Sequence, residues 1–170
     1  SDLTFVRAVC GDLVEIVTMI PAGFNPESHE PTARQMERFS DAFLYFTIGV
    51  ASEQSYILPN AGDVRIVSLR DKAAAKYPER FFESGERDPH IWLSPKRAAV
   101  MVAAIADEMC KLDPVHGETY INNSNAYVKK LNELDELLKT AFKRMKDKKI
   151  IVYHPAFGYL AEDYGLTMYA

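Results

Sequence analysis

Residues 118–146 contain neither proline nor glycine, and they place Tyr127, Leu131, Leu134, Leu138, Ala141 and Met145 at alternating spacings of four and three. That period predicts one unbroken helix. At 1.5 Å per residue, roughly 29 residues make a rod of about 43 Å, longer than a compact lobe of this size needs as a covering helix. A rod of that length can bridge two lobes, so the segments on either side of it are read as parts of separate folding units.

The segment before the rod alternates between two periods. Residues 14–20 are a β-branched run halted by Pro21-Ala22-Gly23 and read as a buried strand. Thr32-Ala33-Arg34-Gln35 is a capping box, with Pro31 before it and Met36 after it, so a helix is expected to start at Ala33 and end near Ser40. Residues 42–46 are short and continuously apolar, as an interior strand of a parallel sheet is. A helix over about residues 51–58 and a strand over 64–69 complete a β, α, β, α, β order. Strands joined through helices return to one parallel sheet, so this region is read as a doubly wound α/β lobe. Residues 71–88 show no clean period and read as a surface excursion anchored by Tyr77, Phe81 and Phe82. Ser94 before Pro95 is a helix start, and residues 98–112 are apolar almost all round, which calls for a core helix. After the rod, residues 150–153 form a strand candidate, a short helix follows to Glu162, and residues 166–169 begin another strand. The fold class is therefore α/β, with two doubly wound parallel-sheet lobes joined by one long helix. The divisions are an amino-terminal lobe over 1–113, a linking helix over 114–147 and the start of a second lobe over 148–170, which one helix and two strands leave incomplete.

Composition removes several functions. Twenty Lys and Arg against 24 Asp and Glu give a net charge of −4, so no basic field favours nucleic acid. No apolar run approaches the roughly 20 residues that cross a bilayer. Cys10 and Cys110 lack a CxxC spacing and read as small buried thiols. Of the four histidines, His116 opens the long helix and reads as a solvated side chain. The other three lie in loops where α/β proteins bind ligands: His29 between Pro26 and Pro31, His90 in Asp88-Pro89-His90-Ile91-Trp92-Leu93-Ser94-Pro95, and His154 at the end of the second lobe's strand. Neutral imidazoles from separate loops, joined by a carboxylate, are what a four-coordinate transition-metal site requires. Glu27, Glu30, Glu53 and Asp88 are the carboxylates near them in sequence. The spacing is dispersed, and it leaves a structural role for each histidine equally open.

Two stretches resemble a known family. Asp88-Pro89-His90-Ile91-Trp92-Leu93-Ser94-Pro95 and His154-Pro155-Ala156-Phe157-Gly158-Tyr159-Leu160-Ala161, with Asp163-Tyr164-Gly165-Leu166 after it, look like signatures of the TroA-like zinc and manganese solute-binding proteins of bacterial ABC importers. Pro21-Ala22-Gly23, Glu30-Pro31-Thr32, Gly49 with Glu53, and the long helix extend the likeness over essentially the whole chain. The resemblance implies a periplasmic or extracytoplasmic receptor, free or lipid-anchored, that is not an enzyme. It would hold one metal ion between two lobes and deliver it to a membrane permease. It makes His90 and His154 the second and third ligands. The first ligand is normally the His of Asp-Pro-His-x-Tyr-Glu-Pro; here the stretch reads Asn25-Pro26-Glu27-Ser28-His29-Glu30-Pro31, with Glu27 at the His position and His29 at the Tyr position. Either His29 or Glu27 is then the first ligand, with His29 preferred. The family's fourth ligand is expected beyond Ala170, and its first strand before Asp2.

Imidazole at position 154 leans towards Zn2+, with Mn2+ as the alternative that a Glu27 carboxylate would favour. Two readings compete with transport. One is a metal-dependent hydrolase using the same histidines and Glu53 as base; the other is the surface adhesion proposed for some relatives. A single long helix between lobes is expected to permit only small rocking.

Overall fold

The computed structural model describes residues 2–170 and is organised around two packed helices, α4 (Pro95–Leu112) and α5 (Gly117–Lys143). Ser94 caps α4 by accepting a hydrogen bond from the Arg97 amide, and Pro95 occupies the first turn, where its missing N–H costs nothing. Met101, Val102, Ile105 and Met109 of α4 are buried, so the helix is a core element as its apolar sequence predicts. A single 3-10 turn, Pro114–His116, leads into α5. His116 Nδ1 lies 2.7 Å from Asp113 Oδ2 at the helix start, and the side chain is 45% exposed, in keeping with a solvated residue.

The long helix serves two cores. Its first half contributes Tyr120, with Tyr127, Val128 and Leu131 packed beside it, to the main core formed with α1 (Asp2–Cys10) and α4. Its second half contributes Leu138 and Phe142 to a separate small cluster around Ala161, Tyr164 and Leu166. Tyr164 also donates to Asp135 Oδ1 at 2.7 Å, which ties α6 (Gly158–Tyr164) to the rod. The rod is thus shared between two apolar clusters.

Each cluster has a parallel sheet. β1 (Leu44–Thr47) pairs with β2 (Arg65–Ser68), and β3 (Lys149–Ile151) with β4 (Thr167–Tyr169), each pair connected through helical chain. The α/β class and the parallel direction follow the sequence pattern; each sheet has two strands. The helix α2 (Ala33–Ser40) starts at the expected capping box, with Thr32 and Gln35 satisfying each other's backbone amides. The helix expected over 51–58 is distorted into a π-turn, Glu53–Ile57, followed by a 3-10 turn, Leu58–Asn60, in which Pro59 cannot donate a helical bond.

Three local expectations change. Residues 14–20 are not a strand: the chain there is irregular, and no ladder joins it to β1 among the described residues. The segment is only partly buried, Met19 alone being fully so, and residues 14–20 and 42–46 line one cavity of about 880 Å³. Residues 2–10, unassigned in the sequence, form α1, buried through Phe5, Val9 and Cys10. Within the expected surface excursion, the helix α3 (Leu69–Ala74) forms because Ser68 accepts from the Asp71 amide and Leu69 and Ala73 reach the core. Cys10 and Cys110 are free thiols, and burial pushes Cys10 up to about 11. No described helix is long and apolar enough to cross a membrane.

Candidate metal centre

His90 follows Asp88 and Pro89 at the entry to a 3-10 turn, Ile91–Leu93, that runs into α4. Asp88 Oδ1 accepts from the His90 backbone amide at 3.0 Å and lies 2.8 Å from His90 Nδ1. A carboxylate only accepts here, so Nδ1 carries the proton and Nε2 keeps its lone pair. Asp88 is completely buried, and its other oxygen accepts from Arg80 Nη1 at 3.0 Å. Trp92 packs on the His90 ring with centroids 5.4 Å apart. The imidazole is thus fixed in both tautomer and direction before any ligand arrives.

His154 comes from the chain after the rod, in the loop following β3, and it is exposed. Its Nε2 lies 3.1 Å from His90 Nε2, with the rings at 78°. Two nitrogens bound to one zinc ion at 2.0–2.1 Å with tetrahedral angles stand about 3.3 Å apart. The observed separation is therefore close to that of two ligands to one ion. Asp88, His90 and the open Nε2 reproduce the carboxylate–histidine arrangement that orients metal-ligating imidazoles.

The other candidates are placed elsewhere. No group of three or more His, Cys, Asp or Glu side chains suited to one metal ion occurs among the described residues, so His29 and Glu27 do not stand with His90 and His154 in such a cluster. The loop carrying them is anchored where Pro26 O accepts from the Ser52 amide and hydroxyl, at 3.3 and 2.5 Å. Glu27 is exposed. His29 packs on Phe24 at 4.7 Å, and its Nε2 is shut off from solvent without a hydrogen-bond partner.

Glu53 is a staple for the chain leaving β1. It accepts from the Tyr45 and Thr47 hydroxyls at 2.9 and 2.8 Å and from the Gly49 and Val50 amides at 2.7 and 3.0 Å, while only 1% exposed. Burial pushes its carboxyl above the usual range, against the pull of those four donors. Its lone pairs are engaged within the fold, where they hold the turn after β1. Gly49 makes that turn at φ +85°, and a Cβ there would fall 2.7 Å from the Arg70 guanidinium.

The orienting part of Asp88 has a local signature, since an Asp two residues before a backbone amide commonly accepts from it. The second carboxylate contact, from Arg80, has no local signature and comes only with the fold.

The family described as "Zinc-uptake complex component A periplasmic" matches residues 3–170. The chain is 32% identical over 95% of its length to the high-affinity zinc uptake system protein ZnuA of Bacillus subtilis (strain 168), covering 55% of that protein. It is 30% identical over 98% of its length to the zinc-binding lipoprotein AdcA of Streptococcus pneumoniae (strain ATCC BAA-255 / R6), covering 36% of it. The chain therefore spans about a third to a little over half of these relatives. Among solved structures, a crystal structure of ZnuA superposes with a TM-score of 0.86 at 29% identity over 99% of this chain and 66% of that one. The Zn(II)-bound ZnuA-like domain of Streptococcus pneumoniae AdcA gives 0.83 at 31% identity, over 98% of this chain and 62% of that one. A fold of α/β lobes joined by a rod, a paired set of imidazoles and a match over nearly every residue lead to one conclusion: this chain belongs to the periplasmic zinc-uptake complex component A family.

Proposed function

We propose that this chain is the metal-capturing part of an extracytoplasmic receptor that binds one Zn2+ ion between its lobes and passes it to the permease of an ABC importer. The observation that carries this reading is the 3.1 Å approach of His90 Nε2 and His154 Nε2, which come from the chain before and after the rod. An ion held by both rings joins the lobes, because neither side alone supplies more than one of the pair. Asp88 keeps His90 ready to donate its lone pair, and His154 would bind as its neutral Nδ1–H tautomer, the ion taking the place of the Nε2–Nε2 hydrogen bond. The Zn(II)-bound relatives and the imidazole ligands favour zinc over Mn2+, which prefers oxygen donors.

Neither His29 nor Glu27 stands with the pair in this structure; as a further ligand, reached by movement of their loop, we favour His29, because its Nε2 has no partner while Glu27 faces solvent. Delivery to a permease and an extracytoplasmic site of action rest on the family relationship.

Calorimetry of the 170-residue chain with Zn2+ and Mn2+ tests the reading. Zinc is expected to bind with one ion per chain and more tightly than manganese, and His90→Ala or His154→Ala should each weaken it by at least about 10-fold. Equal zinc affinity in parent and both variants contradicts it. Imidazole binds metal only when deprotonated, so affinity should fall in mild acid; an affinity constant from about pH 5 to 8 argues against imidazole ligation.

A further inference from the structure

We propose that Arg80 is a positioning residue for the metal site: it holds the carboxylate that aims His90 and, in the same grip, the helix that follows His154. The inference rests on the zinc reading above. Arg80 lies in a stretch to which the sequence assigns no function, and it meets both halves of the site. Its Nη1 donates to Asp88 Oδ2 at 3.0 Å, while Asp88 Oδ1 faces the His90 ring and amide. The carboxylate is thereby fixed at both oxygens and cannot turn without losing one partner. On the other side, Arg80 Nε lies 3.1 Å from Glu162 Oε2 on α6, the helix that starts four residues after His154.

The backbone repeats this link. The Asp88 amide donates to Arg80 O at 3.0 Å, and the Arg80 amide donates to the Tyr159 hydroxyl at 2.9 Å. That hydroxyl donates in turn to Asp88 O at 3.2 Å, closing a ring through both chain segments. Gly158 shows how tightly α6 sits: a Cβ there would fall 1.5 Å from Arg80 Nη1 and 2.7 Å from Asp88 Oδ2. Completely buried Asp88 has Arg80 as its guanidinium partner, and the fork geometry lets one side chain serve Asp88 and Glu162 together. A lysine carries the charge but not the fork. Displacing Arg80 frees the carboxylate to rotate away from His90 and loosens the seat of α6, so both Nε2 atoms lose their fixed separation.

The test uses the 170-residue chain and its Arg80→Ala, Arg80→Lys and His90→Ala variants, with zinc affinity from chelator competition and the visible absorption of bound Co2+ as a probe of ligand geometry. Arg80→Ala is expected to weaken zinc about 10–100-fold and to shift or broaden the Co2+ bands, with Arg80→Lys in between. A double-mutant cycle with Asp88→Asn should show coupling, the second substitution costing less in the presence of the first. Circular dichroism of the metal-free variants identifies any that fail to fold, and in that case Arg80→Lys carries the test. Parent-like affinity and Co2+ spectrum in Arg80→Ala or Arg80→Lys, with binding lost in His90→Ala, overturn the proposal and leave the zinc reading standing. A parent chain that binds no zinc overturns both.

Discussion

The two imidazoles of the site are held in opposite ways. His90 is 6% exposed, bonded to a buried acid, packed on Trp92 and followed directly by the core helix α4. His154 is exposed in a loop after a three-residue strand, beside a fully exposed Tyr153, and its lobe has a small apolar cluster. One ligand is organised by its own surroundings. The other is positioned mainly through α6, which is seated against the first lobe by Tyr159, completely buried in the main core, and by polar contacts: Asp163 accepts from Ser94 Oγ at 2.5 Å and from Arg97 Nη1 at 2.7 Å. The proposed site would combine a fixed half, which sets direction, with a half that can yield.

Breaking the seat of α6 should have the largest effect. Asp163→Ala leaves Arg97, 3% exposed, without its buried carboxylate partner, and is expected to cost about 3–5 kcal/mol in denaturant unfolding. A loss under about 1 kcal/mol would mean that α6 is held by its apolar contacts instead. The Glu53 staple comes next. Glu53→Ala removes the acceptor of several buried donors and should cost about 3 kcal/mol by the same measurement. Parent-like unfolding would show that those donors find other acceptors.

Substitution of the two histidines sharpens the contrast directly. In metal-free protein, His90→Ala strips the buried Asp88 of its ring partner and should cost about 1.5–3 kcal/mol, whereas exposed His154→Ala should stay within about 0.5 kcal/mol of the parent. Equal costs would contradict the division into fixed and yielding halves. The smallest effect is on the second lobe's tie to the rod. Burial works against the Asp135 carboxylate, but hydrogen bonds from Lys139 and Tyr164 outweigh it and hold the group below the usual range. A folded value below the unfolded one gives stability that is present above the unfolded value, about 3.9, and lost as pH falls through the folded value. Tyr164→Phe should therefore cost about 1 kcal/mol near neutrality and progressively less in acid below about pH 4. A cost that does not change with pH would assign it to packing.

The same contrast governs what the sequence shows. Elements with a local cause are legible in it: the Thr32–Gln35 capping box, the Ser94-Pro95 start, the unbroken period of α5 and the two loop histidines that meet. Features caused by distant partners are not. Residues 14–20 have strand composition, yet pairing depends on a neighbouring strand, and none pairs with them among the described residues. The helix α3 was hidden in a charged stretch, although Ser68 with Asp71 is a start signal. Arg80 meets Tyr159 and Glu162 across about half the chain, and no spacing rule reaches that far. His29 is legible as a candidate, while the direction of its ring depends on how its loop packs on Phe24.

The central claim is that His90 Nε2 and His154 Nε2 share one ion. Long-range nitrogen–proton NMR of the histidine rings during zinc titration tests it most directly. The account predicts a protonated Nδ1 at His90 before zinc, and movement of both Nε2 resonances together, complete at one equivalent. Movement of only one of them, or of neither, would contradict it.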